Sequence, residues 1–163
     1  MHLYETHLPV ADTEAAKQFY IDVVRLEFAF RDPGRDIVFL WAGDARRSML
    51  GLWGPETEYG REFQICHLAF AMELPELLGA GARLRQSGIQ TTNFMGETTI
   101  EPSVIGWMPA AQLYFADHDG HALEFIALLN DPADPGFVGP LSKWQETLRA
   151  SRSRPATFLR NRR

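Results

Sequence analysis

One cysteine, Cys66, is all that the 163 residues contain. Its solitude excludes an intrachain disulfide framework and fits a reducing compartment, so a cytoplasmic protein is expected. No stretch approaches the roughly 18 consecutive apolar residues that a membrane-spanning helix needs. The opening Met1-His2-Leu3-Tyr4-Glu5-Thr6-His7 lacks a basic segment followed by an apolar run, so neither export nor insertion into a membrane is expected. Cations are also sparse late in the chain, where Lys143 is the one basic residue between Arg85 and Arg149. What is present is ordinary for a folded domain: 45% hydrophobic and 23% charged residues, at a length that suits one domain. The net charge of −5 is unevenly spread. From Lys143 onward seven basic residues face one acid, giving +6 there and −11 on the remainder. Such a split can favour subunit contacts or polyanions, but a solvated terminus accounts for it and no nucleic-acid partner is expected.

Two segments 60 residues apart echo each other: Thr6-His7-Leu8-Pro9-Val10-Ala11 and Cys66-His67-Leu68-Ala69-Phe70-Ala71. Self-similarity of this kind points to one supersecondary unit used twice. After the first echo, Asp12 or Thr13 is a candidate N-cap for an amphipathic helix over 14–24, with Ala16, Phe19, Tyr20 and Val23 on one face. Strands are expected near 27–30, 36–41 and 48–53, separated by turns at Asp32-Pro33-Gly34 and Gly43-Asp44. Gly54 to Gly60 is a polar, turn-rich linker. The pattern then restarts with a strand over 63–71 and a helix over 75–87, which has Pro75 in its first turn and Gly88 beyond its end. Further strands are expected near 89–94, near Val104, at 112–115 and at 122–128, the last following the Asp119-Gly120 turn. Each half reads β-α-β-β-β, the second with one strand to spare. The expected fold is therefore α+β, with two βαβββ modules (about 3–54 and 62–128) in one domain over 1–130. An extension over 131–163 carries a short helix from Leu141 to about Arg149 and a basic tail.

Strand alternation sets His7 opposite Leu8 and Val10, His67 opposite Leu68 and Phe70, and Glu124 opposite Leu123 and Phe125. The larger apolar side chains can face helices, leaving the polar residues on the other face. A carboxylate in so apolar a strand needs a partner or a cation unless it sits on an exposed edge. Two imidazoles and one carboxylate form a set that binds a divalent metal with open positions. Each strand histidine taken singly is as readily a hydrogen-bonded core or rim residue. Trp41, Trp53, Trp107 and Met108 are candidate walls of a substrate pocket, with core packing as the alternative, and 101–109 is a loop able to cover it.

The segments His7-Leu8-Pro9-Val10-Ala11-Asp12, Cys66-His67-Leu68-Ala69-Phe70 and Tyr114-Phe115-Ala116-Asp117-His118-Asp119-Gly120-His121-Ala122-Leu123-Glu124 resemble the vicinal oxygen chelate superfamily. Glyoxalase I, extradiol dioxygenases, fosfomycin-resistance thiol transferases and bleomycin-resistance proteins belong to it. The resemblance covers about residues 3 to 128 and implies paired βαβββ modules in a cupped mixed sheet around a divalent metal, usually in a homodimer. It implies His7, His67 and Glu124 as metal ligands, the metal being Fe, Mn, Ni, Co or Zn. In many members the paired modules come from different chains, so His7 can complete a site whose other ligands are the partner's. Tyr114 matches a tyrosine beside the family's metal pocket, and His121 in the closing turn is a candidate acid/base or structural group. Glyoxalase I carries a further carboxylate on the last strand of its first module, a place that falls within Leu50-Gly51-Leu52 here, with Gly51 the best match, so glyoxalase I activity is disfavoured. The fosfomycin enzymes place a threonine where this chain has Pro9, and the dearth of Arg and Lys leaves a phosphonate dianion without partners. The expected function is a metal-dependent enzyme acting on a small substrate with adjacent oxygens, by dioxygenase, lyase or isomerase, or thiol-transfer chemistry. The alternative is a binding or sequestering protein of the bleomycin-resistance type.

Overall fold

The computed structural model describes residues 2–43 and 46–152; the basic residues Arg154, Arg160, Arg162 and Arg163 of the expected tail lie outside the described residues. Two four-stranded units of the same design follow one another along the chain. The first runs β1 (Glu5–Pro9), α1 (Thr13–Phe19), β2 (Glu27–Arg31), β3 (Ile37–Ala42) and β4 (Ser48–Trp53), with spatial order β1-β4-β3-β2. The second runs β5 (His67–Ala71), α2 (Leu74–Gln86), β6 (Ser103–Ile105), β7 (Ala110–Ala116) and β8 (Ala122–Leu128), in order β5-β8-β7-β6. In each unit the first strand pairs in parallel with the last, and the remaining pairings are antiparallel. Both histidine-bearing strands, β1 and β5, are therefore edge strands of their sheets.

Local chemistry explains the element ends. The Asp12 side chain accepts hydrogen bonds from the Glu14 and Ala15 amides and so caps α1. The helix expected to run to residue 24 instead widens into a π-helical turn over Tyr20–Val24, stopped by Arg25 in the left-handed region at φ 74. Tyr20, fully buried, donates its hydroxyl to Asp117 Oδ2 at 2.9 Å, a contact between the two modules. The strand expected near 89–94 is absent. Asn93 Oδ1 instead accepts the amides of Met95 and Glu97, and Gly96 supplies φ +78, so the chain folds into a local turn with Thr92 alone bridging to Tyr114. The strand foreseen over 63–71 begins only at His67, since the Cys66 amide is taken by the His121 side chain rather than by a ladder. The segment over 101–109, read as a covering loop, contains the buried strand β6.

Residues facing the helices merge into one core, in which Leu8, Leu40 and Leu52 of the first module join Leu77, Leu113 and Phe125 of the second. The extension belongs to this core. β9 (Val138–Pro140) adds to the edge of β6, and α3 (Leu141–Arg152), longer than expected, buries Trp144, which is 2% exposed. Trp144 donates to Asp131 Oδ2 at 2.9 Å and packs against Phe137.

His121 holds the modules to each other. It is fully buried; Nε2 donates to the Pro9 carbonyl at 2.7 Å and Nδ1 accepts from the Cys66 amide at 3.0 Å, which fixes a neutral tautomer. Asp119 adds to the joint by accepting the Ala11 amide. His121→Ala removes both bonds and leaves two backbone groups without partners, for an expected loss of about 2–5 kcal/mol of stability, read as a lower urea midpoint at fixed protein concentration. Trp144→Ala is expected to cost about 3–5 kcal/mol in the same assay, whereas an extension merely appended to the domain predicts little change.

Candidate metal centre

The helix-averted face of the second sheet carries a run of polar side chains. Register places Glu124 of β8 directly beside Tyr114 of β7 and Ala69 of β5, with His67 two residues off that row on the same face. His67 Nε2 lies 3.2 Å from Glu124 Oε2, and the Tyr114 ring stacks on the imidazole at 6.2 Å between centroids. The Tyr114 hydroxyl donates to Gln112 Oε1 at 3.1 Å. Glu124 is 4% exposed, and its second oxygen, Oε1, is buried without a hydrogen-bond partner. Burial raises the carboxyl pKa, while the imidazole and the tyrosine pull it back down. Burial, together with the charge of Glu124, pushes the Tyr114 phenol up to about 12. A buried carboxylate with one oxygen facing an imidazole and the other without a partner is the arrangement a divalent cation would satisfy.

The corresponding face of the first sheet is built differently. His7 Nε2 donates to Glu5 Oε1 at 2.6 Å, and the imidazole is packed against Trp53 at 4.7 Å and Tyr59 at 5.0 Å between ring centroids. Register corrects the position matched to Glu124. His7 pairs with Gly51 as His67 pairs with Ala122, and Pro9 pairs with Trp53 as Ala69 pairs with Glu124. The counterpart of Glu124 is therefore Trp53, two residues beyond Gly51 on the same face. Gly51 has its own task, because a Cβ there would lie 2.9 Å from Trp53 Nε1 and 3.0 Å from His7 Cδ2. Its lack of a side chain is what lets the indole and the imidazole meet.

One chain does not bring His7 to His67 and Glu124. Among the described residues, the one trio of His, Cys, Asp or Glu whose ligand atoms lie within 4.8 Å of one another is Asp117, Asp119 and His121. That trio is suited to metal by donor type, but its atoms hold the turn and the module joint. His121 has no free lone pair, Asp117 Oδ1 accepts the amides of Asp119 and His121, and Asp117 Oδ2 accepts from Tyr20. The same burial leaves His121 no nitrogen for the acid/base role considered for it. Trp41 and His67 border a common cleft of about 1250 Å³ between the two units. Trp107, 63% exposed, and Met108 instead sit in the turn before β7. That turn is at the end of the strand away from His67, with about 13 Å of strand between Ala110 and Tyr114. Glu5 and Tyr59 were not anticipated. Glu5 shares the face of His7 by simple alternation and was legible, whereas Tyr59 is brought over the sheet by the linker, which leaves no periodic signal.

The sequence matches the model of the Glyoxalase/Bleomycin resistance protein/Dioxygenase superfamily over residues 2–125. No curated protein matches it significantly. Among solved structures, an integron cassette protein from the mobile metagenome of a Halifax Harbour sewage outfall is 31% identical, with a TM-score of 0.65 over 78% of this chain and 98% of that one. Lactoylglutathione lyase from Agrobacterium tumefaciens is 23% identical, with a TM-score of 0.58 over 77% and 92%. An antibiotic binding protein from a Streptomyces species is 21% identical, with a TM-score of 0.62 over 79% and 97%. Together with the duplicated βαβββ architecture and the His67–Glu124 pair, the match establishes that this chain belongs to the Glyoxalase/Bleomycin resistance protein/Dioxygenase superfamily.

Proposed function

We propose that this protein is a divalent-metal-dependent enzyme acting on a small substrate with adjacent oxygens. In this reading it works as a cytoplasmic homodimer in which His7 of one subunit completes a site made by His67 and Glu124 of the other. The observation that carries the proposal is the buried Glu124 oxygen with no hydrogen-bond partner beside His67. Support for the shared site comes from the open edges of β1 and β5 and from the separation of His7 from the other two ligands in one chain. Exposed strand edges of this kind are ordinarily covered. Exposed Leu3, Ile65 and Phe63 beside the same strands are apolar surface that a second subunit would bury.

When bound by two imidazoles and one carboxylate, a metal such as Fe, Mn, Ni, Co or Zn supplies Lewis acidity toward a bidentate oxygen substrate. The chain's own groups would orient that substrate. Tyr114 holds a phenol that stays protonated at neutral pH and can turn from Gln112 to donate to a substrate oxygen. Trp41 offers apolar surface in the cleft bordered by His67. The absence of a carboxylate at Trp53 argues against glyoxalase I chemistry proper, as the expectation at Gly51 did, now for a different residue. The remaining choices among ring cleavage by O₂, isomerisation or elimination, and thiol transfer follow from which metal and cosubstrate are used. The alternative, a metal-free binding protein of the bleomycin-resistance type, leaves the Glu124 oxygen unexplained.

Protein purified without chelator should carry about one divalent metal per subunit by elemental analysis, and His67→Ala or Glu124→Ala should abolish it. Absence of stoichiometric metal from the wild-type protein sinks the enzyme reading. Subunit sharing has its own test. Mixing His7→Ala with Glu124→Ala protein and allowing subunit exchange should restore about a quarter of the wild-type metal sites, since half the dimers become mixed and each holds one intact site. A site confined to one chain predicts no recovery.

A further inference from the structure

Trp53 is 5% exposed, and its indole Nε1 is buried without a hydrogen-bond partner among the described residues. A buried donor left unpaired is costly, and native structures rarely keep one without a use. Its surroundings fix where the group sits. Nε1 is beside the point a Cβ on Gly51 would occupy, and His7 Cδ2, the carbon adjacent to His7 Nε2, is beside that same point. The indole is held there by the imidazole at 4.7 Å, by Tyr59 at 4.6 Å and by the Arg35 guanidinium 5.6 Å from the ring centroid. Register makes it the positional equivalent of Glu124.

We propose that Trp53 is a substrate-contacting residue whose indole N–H donates a hydrogen bond to an oxygen held at His7, so that the first module offers a neutral donor where the second offers a carboxylate. The inference rests on His7 serving the metal centre proposed above. A donor at this place favours an ionised oxygen over a neutral one and disfavours a second cation. Phe in place of Trp53 keeps the aromatic contacts with His7 and Tyr59 but removes the donor.

The test uses full-length ¹⁵N-labelled protein with Zn(II), and then oxalate as a probe with two adjacent anionic oxygens. The Trp53 indole signal, assigned through its contacts with His7 and Tyr59, should shift when oxalate binds the Zn(II)-loaded protein. Calorimetry should show Trp53→Phe binding Zn(II) within about threefold of wild type and oxalate about tenfold more weakly, the loss expected for one hydrogen bond to a charged oxygen. An indole signal unmoved at oxalate saturation overturns the proposal, as does wild-type oxalate affinity in a Zn(II)-loaded Trp53→Phe protein. Should that variant not fold, the wild-type indole signal decides alone. Failure of wild-type protein to bind Zn(II) at all is a different result, which removes the metal centre and this inference with it.

Discussion

Parallel pairing of the first strand with the last in each module is the constraint from which the site follows. Strands alternate faces, so once β1 lies beside β4 and β5 beside β8, the residues opposite Leu8, Leu52, Leu68 and Leu123 must gather on the side away from the helices. The helix-facing leucines are nearly all fully buried in a common core, and slipping either pair by one residue would turn that core out to water. Hydrophobic burial thus pins the register, and the register in turn sets His67 next to Glu124 and His7 next to Trp53. The polar face is positioned by apolar side chains that never touch it.

Much of this architecture was legible in the chain. The 60-residue echo disclosed the duplication, alternation disclosed which face each histidine takes, and a cap at Asp12 or Thr13 disclosed where α1 begins, the structure choosing Asp12. What could not be read was set by contacts between distant segments. Gly51 was matched to Glu124 through the family resemblance, but correspondence between modules is defined by pairing, and the pairing moves the match to Trp53. The widening at Tyr20 coincides with a partner, Asp117, 97 residues away, which no local propensity records. Residues 89–94 have a strand-like composition, yet Asn93 and Gly96 offer a turn in which the side chain satisfies the backbone, and that local solution prevailed. Trp144 was recognised as one face of a short helix; its burial in the common core became visible only with β9 in place.

The closing turn shows how one motif can hold two kinds of work apart. Asp117, Asp119 and His121 resemble a ligand cluster in composition and in proximity, yet each is engaged by backbone or by Tyr20. Three residues after His121, Glu124 has the opposite condition, with one oxygen beside an imidazole and the other without a partner. The difference is satisfaction rather than residue type. A fully bonded polar group rigidifies a joint, whereas an incompletely bonded buried one stores a penalty that a ligand can relieve.

The same reasoning makes the two modules chemically unequal despite their shared plan. At equivalent register positions one supplies a buried carboxylate and the other a buried N–H. Had both been carboxylates, a divalent ion held by them and by two imidazoles would carry no net charge. With one carboxylate replaced by a donor, the centre would keep a net positive charge, and the nearest uncharged group would also point positive hydrogen at the substrate. Both effects would act in the same direction on a negative charge at the substrate oxygen. Duplication gave the two histidines their equivalent positions; divergence at residue 53 gives the first module a donor where the second has a carboxylate.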